Sequence, residues 1–331
     1  MAESAEPVEL SLTVIVATFN RSAVLRQTLE AMCGVDCSGL DVTYVVVDNN
    51  SSDDTAPVID SFSERLPLTH LFQPVQGKSN ALNLALETVP LGEVVVFTDD
   101  DVFPERDWLQ AVAASLRSHP EYSVFGGRIV IRWPEGVLPP AWALENGFLL
   151  GAVWGEHDEG PETAPYPAHR HPSGGNWWFR RSVLDTGITF RADLGAGDLT
   201  MGEEGVFALA LAERGFPSLY YPAACVGHLG LDCYFDLGVL KGRMIRLGRG
   251  FVHLRGLPDP AYYAAHPNRW RVRRLVSIVR FRLLSAFAWL VRDEVRRVRT
   301  YVDAWLWGAY HGESLQLSLR REKEGPDAGG V

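Results

Sequence analysis

Residues 94–102 read VVVFTDDDV, an apolar run that ends in three consecutive carboxylates. A continuous β-branched run is typical of a parallel strand that is buried on both faces. Three carboxylates at its end repel one another unless a cation lies among them. Ligands of open α/β sheets bind outside the carboxyl ends of the strands, so a hard divalent metal with oxygen ligands is the expected partner. The alternative is a solvated acidic turn.

The residues before this run repeat a strand–helix pattern. Apolar runs at 12–17, 42–47 and 68–72 predict three further strands, and helical spacing predicts helices at 24–32 and from Gly77 through Leu86. Such alternation favours βαβ units and a parallel sheet. Three of the predicted strands end in Asp or Asn, so we expect polar chemistry to collect along one edge of the sheet.

The composition is that of an ordinary globular protein, with 331 residues, 47% hydrophobic and 22% charged. A net charge of −10 argues against nucleic acid as a partner. The four cysteines, at positions 33, 37, 225 and 233, lack metal or redox spacing and are predicted to be reduced thiols of a cytosolic protein. The acidic residues 1–7 and the lack of an apolar stretch of roughly 18 residues predict neither a signal peptide nor a membrane-spanning helix.

Side chains rather than a glycine-rich loop are expected to hold a nucleotide. No Walker A loop and no G-x-G-x-x-G motif follows the first predicted strand. Asp48 is a candidate acceptor for a base or ribose, and Lys78 and Arg21 are candidate partners of phosphate. Asp48 could equally cap the following turn, and Lys78 could be a solvated loop lysine.

Four motifs, in order along the chain, resemble the family 2 glycosyltransferases. They are VIVATFNR at 14–21, VVVDNNSSDDT at 45–55, GKSNALN at 77–83 and FTDDD at 97–101, the last matching the family's D-x-D motif. The resemblance implies an α/β, GT-A (Rossmann-like) fold: a mixed, mostly parallel sheet with flanking helices and, here, a C-terminal helical extension. It also implies inverting transfer from a nucleoside-diphosphate sugar.

The resemblance further implies the donor and metal contacts. The donor-binding candidates are Thr18, Asn20, Arg21, Asp48, Asn50, Asp53, Lys78, Asp99 and Asp100. The metal-binding candidates are Asp101, Asp99 and His228, since YYPAACVGH at 220–228 resembles the family's last core strand, whose terminal His can complete the metal site. This donor set suits Mn²⁺ or Mg²⁺, and the imidazole favours Mn²⁺.

The second half supplies candidates for the acceptor and the base. The stretch SGGNWWFRR at 173–181 resembles the family's glycine turn, so acceptor contacts are expected from Gly174, Gly175, Asn176, Trp177 and Trp178. Neighbouring indoles on a strand point to opposite faces, so only one of the two is expected to face a sugar. Where the family carries Glu-Asp, this chain has Glu-Glu; Glu204 is the predicted base and Glu203 the second candidate. Alternatively, both acids complement a helix dipole.

The expected organisation is a tail at 1–9, a glycosyltransferase domain at 10–255, a helical extension at 256–315 and a disordered tail at 316–331. Within the domain, 10–105 is expected to bind the nucleotide and 106–255 the acceptor. Residues 134–172 are expected to form a long loop or lid. The basic, apolar segment 269–307 is either a peripheral contact with anionic lipid or a helical hairpin packed on the catalytic domain or on a second copy.

The expected function is metal-dependent, inverting transfer of a sugar to a saccharide, lipid-linked or small-molecule acceptor, as in polysaccharide biosynthesis. The expected location is the cytoplasm or the inner face of the cell membrane. The sequence leaves open whether the chain forms a homo-oligomer. One alternative is a GT-A-like nucleotidyltransferase that makes a nucleotide sugar. For such an enzyme we would expect a glycine-rich loop with a lysine directly after the first strand, where this chain has TFNR at 18–21. A non-catalytic sugar-nucleotide-binding protein is a third hypothesis, which the intact set of acidic residues opposes.

Overall fold

The computed structural model describes residues 10–167, 170–195, 201–255, 267–290 and 292–324. The strands of its sheet are β1 (Leu10–Thr18), β2 (Leu40–Asp48), β3 (Leu68–Phe72), β4 (Val94–Asp99), β5 (Val102–Pro104), β6 (Val124–Arg132), β7 (Ala164–Pro165), β8 (Asn176–Arg180) and β9 (Ser218–Leu229). The α-helices are α1 (Ser22–Met32), α2 (Thr55–Asp60), α3 (Lys78–Thr88), α4 (Trp108–Ser118), α5 (Ala141–Leu144), α6 (Gly147–Trp154), α7 (Glu203–Glu213), α8 (Leu237–Arg255), α9 (Pro267–Leu290) and α10 (Glu294–Glu324).

The strands form one mixed, mostly parallel sheet in the order β3-β2-β1-β4-β8-β6-β9-β5, with β7 paired to β9. Strands β1 to β4 run parallel, β8 lies antiparallel between β4 and β6, and β9 runs parallel to β6. The register pairs Thr18 with Asp48 and Ala17 with Asp99, so the ends of the first strands meet at one edge. The predicted strands and their sheet are confirmed.

The apolar strands are buried because helices cover both faces of the sheet. Val14 and Val96 belong to a core with side chains of α1 and α4, whereas Ile15 and Val95 belong to a second core with side chains of α3 and α7. Successive strand residues point to opposite faces, so a continuous apolar run satisfies both cores at once. The strand that leads to the three carboxylates is therefore held rigidly from both sides.

Strand β8 belongs to these cores and not to an acceptor surface. Trp177 is 1% exposed and stacks on Phe97 with ring centroids 4.7 Å apart. Trp178 is fully buried, and its Nε1 donates to Ser115 Oγ at 3.0 Å. The two indoles do point to opposite faces, but the prediction that one of them faces a sugar is wrong, because helices cover the sheet on both sides there.

Asn176 is likewise a structural residue. Its buried Nδ2 donates to the carbonyl oxygens of Arg128 at 3.0 Å and Ala224 at 2.8 Å, and its Oδ1 accepts from Trp108 Nε1 at 2.9 Å. With both ends of the amide bonded inside the core, Asn176 ties β8 to β6, β9 and α4. The prediction that its side chain contacts an acceptor is wrong for the same reason as for the two indoles.

The chain forms two compact units, and the second is helical. It comprises Glu135–Val153, Asp198–Gly202 and Leu231–Val331. Within it α8 packs on α10, and α9 also packs on α10. The helices α8 and α10 approach closely at Gly248, where a Cβ would collide with the carbonyl oxygen of Leu306. This contact ties α8 to α10, so α8 packs in the helical unit although its residues lie before the expected boundary at residue 256.

Two further expectations about the chain differ from the structure. Helix α10 continues to Glu324, so residues 316–324 of the expected tail are helical; residues 325–331 and 1–9 lie outside the described residues. The expected loop at 134–172 contains α5, α6 and β7, since the apolar run at 147–154 buries Leu149 and Val153. Among the described helices, none combines the length and apolarity that a bilayer crossing requires.

Asn176→Ala is expected to lower the free energy of unfolding by about 2–4 kcal/mol, because it removes three hydrogen bonds that the amide makes inside the protein. Urea denaturation of the whole chain measures this. The control is Asn80→Ala, which removes a single exposed bond to the Gln76 carbonyl and should change stability by less than about 1 kcal/mol. An Asn176→Ala protein that keeps its stability but loses acceptor affinity would return Asn176 to the acceptor site.

Candidate active site

The three carboxylates after Phe97 occupy a tight turn at the carboxyl edge of the sheet. Asp99 ends β4, Asp100 and Asp101 form the turn, and β5 begins at Val102. Strand β5 pairs antiparallel with β9, which sets Val102 opposite His228. The turn therefore brings Asp101 beside His228, although they are far apart in sequence.

Asp100 is buried and braces the turn through hydrogen bonds. It is 4% exposed, and its carboxylate accepts from Thr18 Oγ1 and from Arg21 Nη1, both at 2.7 Å. Its backbone carbonyl accepts from Thr28 Oγ1 at 2.8 Å. Burial, with Asp101 adding to it, raises the pKa of Asp100 to about 7 against the opposing effect of Arg21. Thr18 and Asp100, both predicted to bind the donor, are thus buried against each other.

Arg21 joins the turn to the end of β1. Its Nη1 binds Asp100 and its Nη2 binds Asp101 Oδ2, each at 2.7 Å. The Arg21 side chain is 31% exposed, whereas the side chains of Asp100 and Asp101 are nearly buried. A planar fork of this kind orients two carboxylates at once, so Arg21 fixes which oxygen of Asp101 is left for other partners.

That remaining oxygen marks a candidate metal site. Asp101 Oδ1 lies 3.3 Å from His228 Nε2, and one ligand atom each from Asp99, Asp101 and His228 lie within 4.8 Å of one another. Asp101 Oδ1 is buried without a hydrogen-bond partner in the described part of the chain, a state that costs free energy unless a ligand relieves it. Two carboxylates and an imidazole are a donor set that Mn²⁺ or Mg²⁺ accepts, so these residues fit the expected metal.

Lys78 connects this cluster to two further acids. It is the first residue of α3, and its Nζ donates to Asp99 Oδ1 at 2.6 Å and to Glu204 Oε1, and lies 4.0 Å from Glu203 Oε1. Burial by itself lowers the pKa of Lys78, but the charges of Asp99, Glu204 and Glu203 outweigh it and hold that pKa well above its usual value. The sequence suggested a phosphate partner; the structure places Lys78 among carboxylates.

The two glutamates begin α7, and they differ in their surroundings. Glu203 is 6% exposed, and burial, followed by the charge of Glu204, raises its pKa to about 8. Glu204 is less buried and is the one whose oxygen contacts Lys78 directly. Burial therefore favours the protonated form of Glu203, and of the two glutamates Glu204 is the one that Lys78 bonds together with Asp99.

The glycine turn before β8 gives these carboxylates room. A Cβ at Gly174 would collide with the Glu204 carboxylate, and one at Gly175 would lie 3.5 Å from Asp99 Oδ2. Gly175 also accepts a hydrogen bond from Thr98 Oγ1 at 2.8 Å through its carbonyl. Both glycines that were predicted to contact the acceptor thus lie at the site, beside Glu204 and Asp99.

The ends of β1 and β2 form a second group of polar residues. Asp48 is 2% exposed and accepts from the Ser51 amide at 2.9 Å, as a cap of its own turn would. Asn20 and Asn50 are exposed and have positive φ angles of 51° and 67°, and Asn20 Oδ1 accepts from the Ser52 amide at 2.7 Å. The two loops are therefore bonded to each other.

Asp53 strengthens the same link between the loops. Its Oδ2 accepts from the Ser22 amide at 3.1 Å, and its Oδ1 accepts from Thr55. Although burial opposes the shift, the hydrogen bonds from Thr55 and Ser22 lower the pKa of Asp53 to about 2. Of the predicted donor residues here, Asn20 and Asn50 are exposed, while Asp48 and Asp53 hold the loops in shape.

Sequence reasoning missed Asn49, which positions the loop before Lys78. Asn49 is 5% exposed; its Nδ2 donates to the carbonyls of Gln73 and Val75, and its Oδ1 accepts from the Gly77 amide at 2.8 Å. In the sequence, Asn49 is the residue between Asp48 and Asn50. The atoms that it binds lie at residues 73–77, which follow β3. Only the pairing of β2 with β3 brings them together.

Solved and curated proteins resemble this chain. A mannosyltransferase from Pyrobaculum calidifontis, solved in complex with GDP-Man and Mn²⁺, superimposes with a TM-score of 0.53 at 20% identity over 97% of this chain and 76% of its own. At such identity the likeness shows the fold alone. "Probable glycosyltransferase YdaM" of Bacillus subtilis is 24% identical over 220 residues, which are 64% of this chain and 49% of that protein.

The poly(ribitol-phosphate) β-N-acetylglucosaminyltransferase TarS of Staphylococcus aureus is 28% identical over 112 residues, 33% of this chain and 19% of its own. The chain thus spans half or less of these curated relatives. A model of the family described as Glycosyl transferase family 2 matches residues 13–187, more than half of the chain. The matched region contains the carboxylate turn, Lys78 and the glycine turn, and Glu203, Glu204 and His228 follow it. The chain belongs to glycosyl transferase family 2.

Proposed function

We propose that the chain is a metal-dependent, inverting glycosyltransferase that moves a sugar from a nucleoside-diphosphate sugar to a hydroxyl of a saccharide, lipid-linked or small-molecule acceptor. One observation supports this most directly. Lys78 contacts Asp99 of the candidate metal cluster and also Glu204, so a site for a diphosphate and a carboxylate base are neighbours. Sugar transfer needs both groups next to the anomeric carbon.

Asp99, Asp101 and His228 would hold the metal. Bound there, Mn²⁺ or Mg²⁺ would supply positive charge to the departing diphosphate. The complex of the Pyrobaculum mannosyltransferase with Mn²⁺ favours manganese by analogy. Asn20, Asn50 and the turn that contains Asp48 are proposed to border the nucleotide, because they follow β1, which pairs with β4, and β2, which pairs with β1.

Glu204 is proposed to be the base. It accepts the proton of the acceptor hydroxyl while that oxygen bonds to the anomeric carbon. The bond from the anomeric carbon to the diphosphate oxygen breaks on the opposite face, and its electron pair leaves with the diphosphate, so the configuration inverts. Glu203 is less suited to this role at neutral pH, because burial raises its pKa to about 8 and so favours its protonated form.

For the acceptor and the cellular location, we propose only a general class. TarS is named for a poly(ribitol-phosphate) acceptor, which favours a polymer-building role for this chain as well. All four cysteines are free thiols, which favours the cytoplasm. Gly174 and Gly175 are the proposed acceptor-side backbone, because they border Glu204 and Asp99.

With Mn²⁺ present, at least one nucleoside-diphosphate sugar from a panel is expected to raise the thermal unfolding midpoint, because donor and metal bind only the folded chain. Asp101→Asn should remove the Mn²⁺-dependent part of this rise, whereas Asp107→Asn, at an exposed site, should keep it. Differential scanning fluorimetry measures both. Stabilisation by no donor would contradict the proposal, and stabilisation by nucleoside triphosphates alone would favour the nucleotidyltransferase.

Glu204→Gln is expected to lower kcat by about 10²–10⁴-fold while donor affinity stays near that of the parent, since only proton transfer is lost. Release of the nucleoside diphosphate measures turnover, and calorimetry measures affinity. Glu87→Gln, on the exposed side of α3, is the control and should leave both values unchanged. Turnover that survives in Glu204→Gln would assign the base to another residue.

Glu203→Gln is expected to gain stability relative to the parent as pH rises from about 5 to 8. Between these values the folded chain holds a proton on Glu203 that the unfolded chain has released. This group therefore lowers the free energy of unfolding of the parent by up to about 1.4 kcal/mol for each unit of pH increase. The neutral amide removes that dependence. Urea denaturation at both pH values measures it, with Glu213→Gln at the exposed end of α7 as control. An equal difference at both pH values would mean that Glu203 is ionised in the fold.

A further inference from the structure

Helix α9 exposes a long apolar stripe. Nine large apolar side chains of α9 are at least 40% exposed, and seven of them, at 48–73%, form the stripe: Val272, Leu275, Val276, Val279, Leu283, Phe287 and Leu290. At 100° per residue these positions share one side of the helix, within about 60° of its midline. Contiguous apolar surface of this extent is unusual on a soluble chain and indicates a contact surface.

The helical hairpin does not account for this stripe. Helix α9 packs on α10 and α10 packs on α8, so α9 already has a helical neighbour inside its own unit. The seven side chains remain exposed with that neighbour in place. Packing of α9 within a helical hairpin therefore covers another side of the helix, and the stripe stays exposed in the described structure.

The charge of α9 indicates what covers the stripe. The helix sequence contains six of the chain's 31 basic residues, all arginine, and none of its 41 acidic residues, in a chain of net charge −10. Arg280 and Arg282 are exposed and, at helical spacing, flank the stripe on its two sides. Arginines in these positions reach towards anionic groups while their stems extend the apolar surface.

A second copy of the chain is a poorer match for this surface. Pairing two α9 stripes would set the flanking arginines of one copy against those of the other, and like charges in contact are repulsive. An anionic lipid surface offers apolar depth for the stripe and negative headgroups for the arginines. Since no described helix can cross a bilayer, α9 would lie along the surface.

We propose that α9 is a membrane-docking helix, which inserts the stripe from Val272 to Leu290 into the interface of an anionic lipid leaflet. Arg280 and Arg282 then lie at the level of the headgroups. This inference is independent of the proposed transferase activity, because a chain without turnover would dock equally well. Together with the proposed function, it favours a lipid-linked acceptor over a freely diffusing one.

Flotation of the full chain with lipid vesicles tests the proposal. We expect binding to an equimolar mixture of phosphatidylglycerol and phosphatidylcholine, and much weaker binding to phosphatidylcholine alone. Leu283→Glu should abolish binding, whereas the control Leu138→Glu, at a side chain 88% exposed elsewhere in the same unit, should not. The double variant Arg280→Gln with Arg282→Gln should weaken binding by roughly fivefold per arginine. Circular dichroism checks that each variant folds, which their exposed positions favour.

Several results would overturn the proposal. They are equal binding to both kinds of vesicle, binding to neither, and undiminished binding by Leu283→Glu. Sedimentation velocity provides a separate test. A dimer that Leu283→Glu dissociates would assign the stripe to a second copy of the chain and would likewise overturn membrane docking. A monomer in both the parent and the variant supports it.

Discussion

Two basic side chains make it possible for several carboxylates to share one corner of the sheet. Arg21 binds Asp100 and Asp101, and Lys78 binds Asp99 and Glu204. Carboxylates this close and this buried would otherwise repel one another or take up protons. The two cations offset that repulsion before any ligand arrives, so the acidic groups are already arranged as a metal and a donor would require.

One of the three carboxylates of the turn, Asp100, supports this arrangement from a buried position. Asp100 accepts hydrogen bonds from Thr18 and Arg21, and its pKa is raised to about 7 by burial. Its neighbours on either side, Asp99 and Asp101, are thereby turned towards His228 and Lys78. One acid of three thus becomes part of the scaffold, because consecutive residues in a tight turn cannot all face the same ligand.

Much of the fold follows from local sequence patterns. The apolar runs that end at Thr18, Asp48 and Asp99 predicted parallel strands, and the pattern was sufficient because helices bury both faces of the sheet. The same burial explains the errors at Trp177 and Trp178. Aromatic residues beside a glycine turn suggest a sugar platform, yet nothing local tells whether a helix covers the strand.

Short-range sequence patterns were sufficient to identify the family, the sheet, and the acidic, basic and glycine residues at the site. The surroundings of each of these residues, in contrast, depend on the tertiary structure. The pairing of β5 with β9 sets His228 beside Asp101, and the start of α7 sets Glu204 against Lys78. Burial distinguishes Glu203 from Glu204 and Asp100 from its neighbours. Burial and long-range pairing depend on the whole chain, which is why adjacent residues of one type have different surroundings.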